Sequence, residues 1–470
     1  MLNIMRGIIS YSGYLPFRRL DRAEITSVLG KGGGRGSRTV ASFDEDTTTM
    51  GVEAARLALG AGPATPDILS FSTVAPTYLD RTNATVVHAA LRLPKATLAF
   101  DAIGSQRSAI AGLEVALRSS GTHLVIGSDI RTGLPSSADE AAGGDGASAV
   151  LIGEDSSDAP VVAEYLGGAV ATGEFVDRWR EPGAPSSKLW EERFGEVVYG
   201  DLANQAWVDA LEDTSLNDDE ITAIAVTGLH ARAVSRTGAK LGAESSQRVD
   251  DLTATIGNTG AAHPGLLLGT MLDAAAPGEV FALVTYADGV QVSLFRATDA
   301  IANHQAVRPL STQIEAGGAV SYAKFLSWRD MLPIEPPRRP EPDRPSSSAA
   351  YRNTDWKYGL VASRDQESQR MYMPPSRVSA DGGVDQMDHI PMADAVGTIA
   401  TFTIDKLVYS PSPPVVFGVV DFDGGGRLPI EIADVDADDV QVGDRVEMTF
   451  RRLYAGDGIS NYFWKARPLR

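Results

Sequence analysis

The chain contains no cysteine among its 470 residues. That single absence excludes disulfides, thiolate-bound zinc and a cysteine nucleophile together. Long apolar runs are also missing, so no membrane span is expected. The first six residues carry no signal-peptide pattern, and a cytoplasmic address is expected. Positive charge is scarce, with 42 Lys and Arg against 61 Asp and Glu, a formal net charge of −19. Phosphate backbones are held by clustered basic side chains, so nucleic acid is not an expected partner. An anionic small substrate stays open wherever basic residues gather locally.

What the chain does have is the balance of a soluble globular protein, 43% hydrophobic and 22% charged residues, at a length that exceeds one hydrophobic core. Residues 101–113 organise the reading. They follow an apolar strand at 96–100, turn through Gly104-Ser105 and enter a buried helix rich in small residues. A helix N-terminus presents unpaired backbone N–H groups and a positive dipole end, which suits a nucleophile or a developing oxyanion. Taken alone, the stretch reads equally well as a strand-to-helix turn with no chemistry.

Around it, strand patterns at 7–14, 67–73, 96–100 and 123–128 alternate with helical periodicity at 46–59, 81–92 and 106–118, and 144–151 reads as a turn feeding another strand. This alternation predicts a mainly parallel sheet with helices on its faces. A second half echoes the first. Helix 201–211 leads to strand 221–226, Gly257-Asn258 and Gly265-Leu266 repeat Gly104-Ser105 and Gly112-Leu113 at a spacing of 153 positions, and Asp288-Gly289 echoes Asp145-Gly146. An internal duplication is expected.

Two α/β halves of this kind resemble the thiolase fold, a five-layered αβαβα arrangement. Within it, Gly7-Ile8-Ile9-Ser10-Tyr11, Phe43-Asp44-Glu45-Asp46-Thr47-Thr48-Thr49-Met50, Gly144-Asp145-Gly146-Ala147 and Gly257-Asn258-Thr259-Gly260-Ala261-Ala262 look most like the hydroxymethylglutaryl-CoA synthases and the type III ketoacyl-ACP synthases. The halves are expected at 1–160 and 161–310. Residues 311–350, with Pro333, Pro336, Pro337, Pro340, Pro342 and Pro345, are expected to be a linker without helix or sheet. Beyond it, five short strand patterns predict a small all-β OB-fold barrel at 386–470. The intervening 351–385 resembles a zinc ribbon whose Cys-x-x-Cys positions fall on Asp365 and Ser368, then Ser379 and Gly382, so no metal is expected there.

The resemblance implies chemistry on an acyl-CoA or acyl-carrier thioester, with coenzyme A as part of the substrate and no permanently bound cofactor. The family's cysteine position falls on Gln106, with Ser105 and Ser108 as neighbours, and the acid/base glutamate of the hydroxymethylglutaryl-CoA synthases falls near Val74. Either a serine takes the acyl group or the reaction is non-covalent; a glutamine here also resembles decarboxylating ketosynthase domains. His230 sits where the family places its catalytic histidine, and an imidazole titrates near neutrality. Asn258 matches the Gly-Asn-Thr position that polarises a thioester carbonyl with it, while His263 reads as structural.

Arg107 suits a carboxylate or phosphate. Arg178, Arg180, Lys188 and Arg232 form a local basic cluster fit for CoA or phosphopantetheine phosphates. Each of these residues also has a plain reading, as a packed histidine, an Asn turn, a buried ion pair or a solvated helix face. The functional alternatives are an enzyme making or breaking a C–C bond, a cysteine-independent decarboxylase, and a non-catalytic protein that binds CoA or stabilises a partner enzyme. A homodimer is expected through 96–129.

Overall fold

A computed structural model describes residues 5–60 and 64–470. Met1–Ile4, part of the segment read for a leader, lie outside them. The chain forms two compact units, Met1–Ala41 with Glu53–Ala84 and Lys95–Tyr322, and Ser42–Val52 with Thr85–Pro94 and Ala323–Arg470.

The first unit is built on ten strands. They are β1 (Arg6–Tyr14), β2 (Ile68–Thr73), β3 (Leu98–Ile103), β4 (His123–Asp129), β5 (Gly146–Glu154), β6 (Ala163–Thr172), β7 (Ala223–Gly228), β8 (Gln247–Arg248), β9 (Val280–Tyr286) and β10 (Gly289–Ala297). Their order is β8-β7-β9-β10-β6-β1-β5-β4-β2-β3. The arrangement is two-fold about the β6–β1 join: β1 answers β6, β5 answers β10, β4 answers β9, β2 answers β7 and β3 answers β8. Within each half four strands run one way and one, β5 or β10, runs against them, and the halves meet antiparallel at β1 and β6. The sheet is therefore mixed rather than mainly parallel. The duplication is present, with a corrected spacing. The pairs β1/β6, β4/β9 and α1 (Gln106–Arg118)/α4 (His263–Ala274) each start 157 residues apart. Matching glycines gave 153 because Gly104 stands two residues before its helix and Gly257 six before its own, while Gly112 and Gly265 sit at different depths inside α1 and α4.

Helices α1 and α4 lie between the halves. Leu113 and Leu117 from α1, and Leu267, Leu268, Met271 and Leu272 from α4, share one core with Ile8, Val125, Ile152, Phe281 and Leu283. A second core packs α2 (Glu192–Thr214), through Tyr199, Ala203, Ala206, Trp207 and Ala210, against Val284, Val292 and Leu294. The short helix α3 (Ala231–Gly238) follows β7. Among the described residues no helix is long and apolar enough to cross a membrane.

In the second unit, β11 (Val396–Asp405), β12 (Val415–Phe422), β13 (Arg427–Ile432), β14 (Arg445–Gly456) and β15 (Ile459–Pro468) close a barrel in the order β11-β12-β13-β15-β14. A buried ionic network anchors the acidic 43–46 run to it. Arg451 contacts Glu45 and Asp44 and bonds Asp434 at 2.7 Å, while Lys465 Nζ lies 2.9 Å from Asp44 and 2.6 Å from Glu431. Burial pushes the Asp44 carboxyl up, but Lys465 and Arg451 outweigh it and leave the group at about 2. Asp46 caps the helix Thr47–Gly60, accepting from Thr49 N at 2.9 Å.

The expected linker differs from its reading. Helices Leu310–Glu315, Tyr322–Trp328 and Ser347–Arg352 fall inside 310–352, because Pro333 is the first of the run of prolines and Ser346 caps the last helix. The four positions that match the ribbon's cysteines make hydrogen bonds. Asp365 accepts from Glu367 N at 2.8 Å and Ser368 N at 3.1 Å, and Gly382 N donates to Ser379 O at 3.1 Å.

Two outcomes are expected. Among the described residues strand β3 has a partner on one side only and exposes Leu98 (58%) and Phe100 (40%), so a second copy should cover this edge. Light scattering should give a dimer that Phe100→Glu converts to monomer; a monomeric parent protein refutes it. Arg451→Met should lower stability by about 3–5 kcal/mol in denaturant titration, because it strands buried carboxylates. Since the Asp44 pKa is depressed, its contribution holds above about pH 4 and is lost as pH falls towards 2.

Candidate active site

Helix α1 begins where β3 ends, and Ser105 caps it by accepting from Arg107 N at 3.2 Å. Gln106, its first residue, is 2% exposed. Its Nε2 donates to Gly260 O at 3.0 Å, and its Oε1 has no hydrogen-bond partner among the described residues. A cavity of about 640 Å³ opens here, lined by Ser105, Gln106, His230, Asp177, Tyr199 and Arg131 among others.

His230 ends the loop after β7 and caps α3. Its Nδ1 accepts from Ala233 N at 3.1 Å, which leaves the proton of a neutral ring on Nε2, 3.1 Å from Glu192 O. Asn258 does not line this cavity. Its Nδ2 donates to Gly228 O and its Oδ1 accepts from Gly260 N, both at 3.0 Å. It lines a second cavity of about 460 Å³ with Arg22, Arg248 and Asp251, and Arg131 and Leu229 line both. Gly260 still links the two amides: its carbonyl holds Gln106 and its N–H holds Asn258.

The remaining sequence candidates separate. Arg178 and Arg180 line the first cavity; Arg178 bonds Asp139 at 2.5 Å and Arg180 donates to Val74 O. Arg107 is held by Ala287 O and Asp288 O, both at 3.0 Å, and by Thr172 at 2.7 Å. Lys188 is exposed in a two-residue strand, and Arg232 pairs with Glu192 at 2.8 Å on the surface. No histidine or carboxylate bonds the hydroxyl of Ser105 or Ser108 among the described residues. His263 is fully buried, bonded to Asp251 O at 2.9 Å, and burial pushes it down to about 4, so it stays neutral.

Three cavity residues were not read from the sequence. Asp177 and Tyr199 are hydrogen-bonded; burial pushes the Asp177 carboxyl up and nearby Asp288 adds to this, while Tyr199 and His230 pull it back. Tyr199 is pushed up by burial and by Asp177 and Asp288, and its ring stands edge-on to His230 at 5.6 Å. Arg131 is the third. Asp177 lay in a segment read for its arginines, and its pairing with a tyrosine 22 positions on leaves no local pattern.

The chain is similar to known proteins over most of its length. A family model described as the C-terminal OB-fold domain of ChsH2 matches residues 390–451. The chain is 27% identical over 348 residues to the hydroxymethylglutaryl-CoA synthase of Picrophilus torridus, covering 70% of this chain and 98% of that protein. It is 29% identical over 346 residues to that of Aeropyrum pernix, covering 70% and 95%. Among solved structures, PksG, an HMG-CoA synthase from Bacillus subtilis, superposes with TM-score 0.60 at 20% identity over 70% of this chain and 89% of that one. The 3-oxoacyl-(acyl carrier protein) synthase III from Pseudomonas aeruginosa gives 0.53 at 19%, over 63% and 98%. The chain thus has a thiolase-like α/β fold followed by an OB fold, and its relatives are acyltransferases of the condensing type.

The Asp177–Tyr199 pair generates a prediction that needs no substrate. In carboxyl NMR, Asp177 should titrate above the usual aspartate value of about 3.9. Tyr199→Phe should raise it further, since the phenol stabilises the carboxylate. An unchanged midpoint in Tyr199→Phe rules the pairing out.

Proposed function

We propose that this hydroxymethylglutaryl-CoA synthase-like chain makes or breaks a carbon–carbon bond beside an acyl-CoA or acyl-carrier thioester without forming an acyl-enzyme. The observation that carries the reading is Gln106, a buried amide at the head of the central helix, facing a cavity shared with His230. An amide is no nucleophile, and neither neighbouring serine has a base among the described residues. The thioester therefore stays on its carrier.

His230 Nε2–H donates to the thioester oxygen, exchanging its bond to Glu192 O for one that strengthens as the enolate forms. The Asp177–Tyr199 pair takes and returns the proton on carbon, a task for which a raised carboxyl pKa is suited. Asn258 acts one step back, holding Gly228 and Gly260 in place. Coenzyme A enters as substrate, and no resident metal is required. A second reading, a CoA-binding protein without turnover, is favoured by the same His230–Glu192 bond, which occupies the donor.

The test is α-proton exchange of acetyl-CoA in D2O, followed by NMR, with intact-mass spectrometry alongside. Exchange should proceed with no acyl adduct, and His230→Ala should slow it about a hundredfold, the scale of one lost oxyanion donor. Gln106→Cys should acquire an adduct. An adduct on the parent protein overturns the non-covalent reading, and absent exchange selects the second one.

A further inference from the structure

We propose that the second unit carries a binding site of its own, a cleft at the β14–β15 hairpin that takes a small aromatic carboxylate, with the ring against Trp356, Tyr454 and Phe463 and the charge on Lys357. The inference goes beyond the thioester reading and does not depend on it.

The cleft follows from strand alternation. On β15, Tyr462 and Trp464 are 2% and 0% exposed and fill the barrel, so Asn461 and Phe463 lie on its outer face. Tyr454 is paired with Asn461 across the hairpin. The helix Thr354–Lys357 packs against β15, with the Trp356 ring 5.4 Å from that of Phe463. A cleft of about 460 Å³ remains, lined by these residues with Lys357 and Asn353 among others.

Among the described residues lining it, Lys357 carries the only charge. Its ammonium donates to Asn461 Oδ1 and to Tyr462 O at 2.9 Å, two neutral acceptors, and one N–H is unspent. No carboxylate balances it. Asp355 on its own helix and Asp365 on the strand Val361–Asp365 form no ion pair with it, the helix Ser347–Arg352 and β15 contain no acid, and Glu447 on β14 is paired with Arg467. Burial therefore pushes the Lys357 amine down, to about 8. Asn461 Nδ2, Trp356 Nε1 and the Tyr454 hydroxyl also make no hydrogen bond to another described residue. The cleft thus offers unspent donors and lacks one negative charge.

The class of ligand follows from that inventory. One ammonium balances a monoanion, whereas a phosphate group near neutral pH carries more charge than it can neutralise. Three aromatic rings favour a flat apolar body that meets them stacked or edge-on. An aromatic carboxylate supplies both, and its bond to an ammonium is of the stronger, charge-assisted kind.

The test is calorimetry on the full chain at neutral pH with four probes. Naphthoate is compared with naphthamide, which keeps the ring without the charge, with cyclohexanecarboxylate, which keeps the charge without the flat ring, and with adenosine monophosphate. Naphthoate should bind at least tenfold more tightly than the amide, on the scale of one charge-assisted hydrogen bond, and about fivefold more tightly than cyclohexanecarboxylate. Lys357→Gln should erase the first difference, and Trp356→Leu should reduce the second. If neither variant folds, the parent protein decides: its affinity for naphthoate should fall as pH rises through about 8, where the amine loses its proton, while that for the amide stays level. Equal binding of naphthoate and its amide, naphthoate binding that Lys357→Gln leaves intact, or no binding at all overturns the site. Tighter binding of the nucleotide overturns the ligand class. None of these outcomes touches the thioester reading.

Discussion

The first unit depends on a place where backbones of its two halves meet with no side chain between them. Asn258 N donates to Ala142 O at 2.8 Å, Gly144 N returns a bond to Asn258 O at 3.0 Å, and Gly143 pairs with Asn258 as an isolated bridge. A Cβ on Gly144 would stand 2.0 Å from Ile256 O, and Gly257 combines φ of +78° with a Cβ position 2.2 Å from Gly143 O. Larger residues would drive the loops apart. The cost would fall on the site, because this crossing delivers Gly260 to Gln106 and Asn258 to Gly228. Asp145 reinforces it with buried bonds to Arg38 at 3.2 Å, Arg131 N at 2.9 Å and Ala41 N at 2.7 Å.

The glycine and aspartate motifs that pointed to the fold are therefore the joinery of that crossing, which is why the fold was legible. Alternating strands, buried helices and the Gly-rich turns each answer to a local rule. The barrel was legible for the same reason, with β14 and β15 longer than their apolar cores suggested because their ends carry polar residues on an exposed hairpin. The spacing of the duplication was not legible, since Gly104 and Gly257 precede their helices by two and six residues, and Gly112 and Gly265 lie at different depths within them.

The site was only partly legible. Gln106 and His230 share a cavity, as their positions at a helix head and a strand end required. Asn258 faces another cavity, because its amide is consumed by two backbone groups, and no sequence pattern reports which way a turn asparagine points. Arg107 reads as an anion ligand until three oxygens are found on its guanidinium. Asp177, Tyr199 and Arg131 are invisible for a different reason: each acquires its character from burial and from partners on other elements.

The exchange of a thiol for an amide at the helix head has a physical consequence beyond the loss of a nucleophile. A thiolate there would draw on the positive end of the helix. Gln106 is neutral and gains little from that field, while its unpartnered Oε1 costs on the order of 1–3 kcal/mol as a buried acceptor. Folding alone favours an apolar residue of similar size at such a position. An acceptor kept unsatisfied at the wall of a cavity is stabilised only when a donor arrives from the cavity side. In the proposed function the amide N–H or a hydroxyl of a thioester substrate is such a donor, and the role assigned to Gln106 is to orient that substrate.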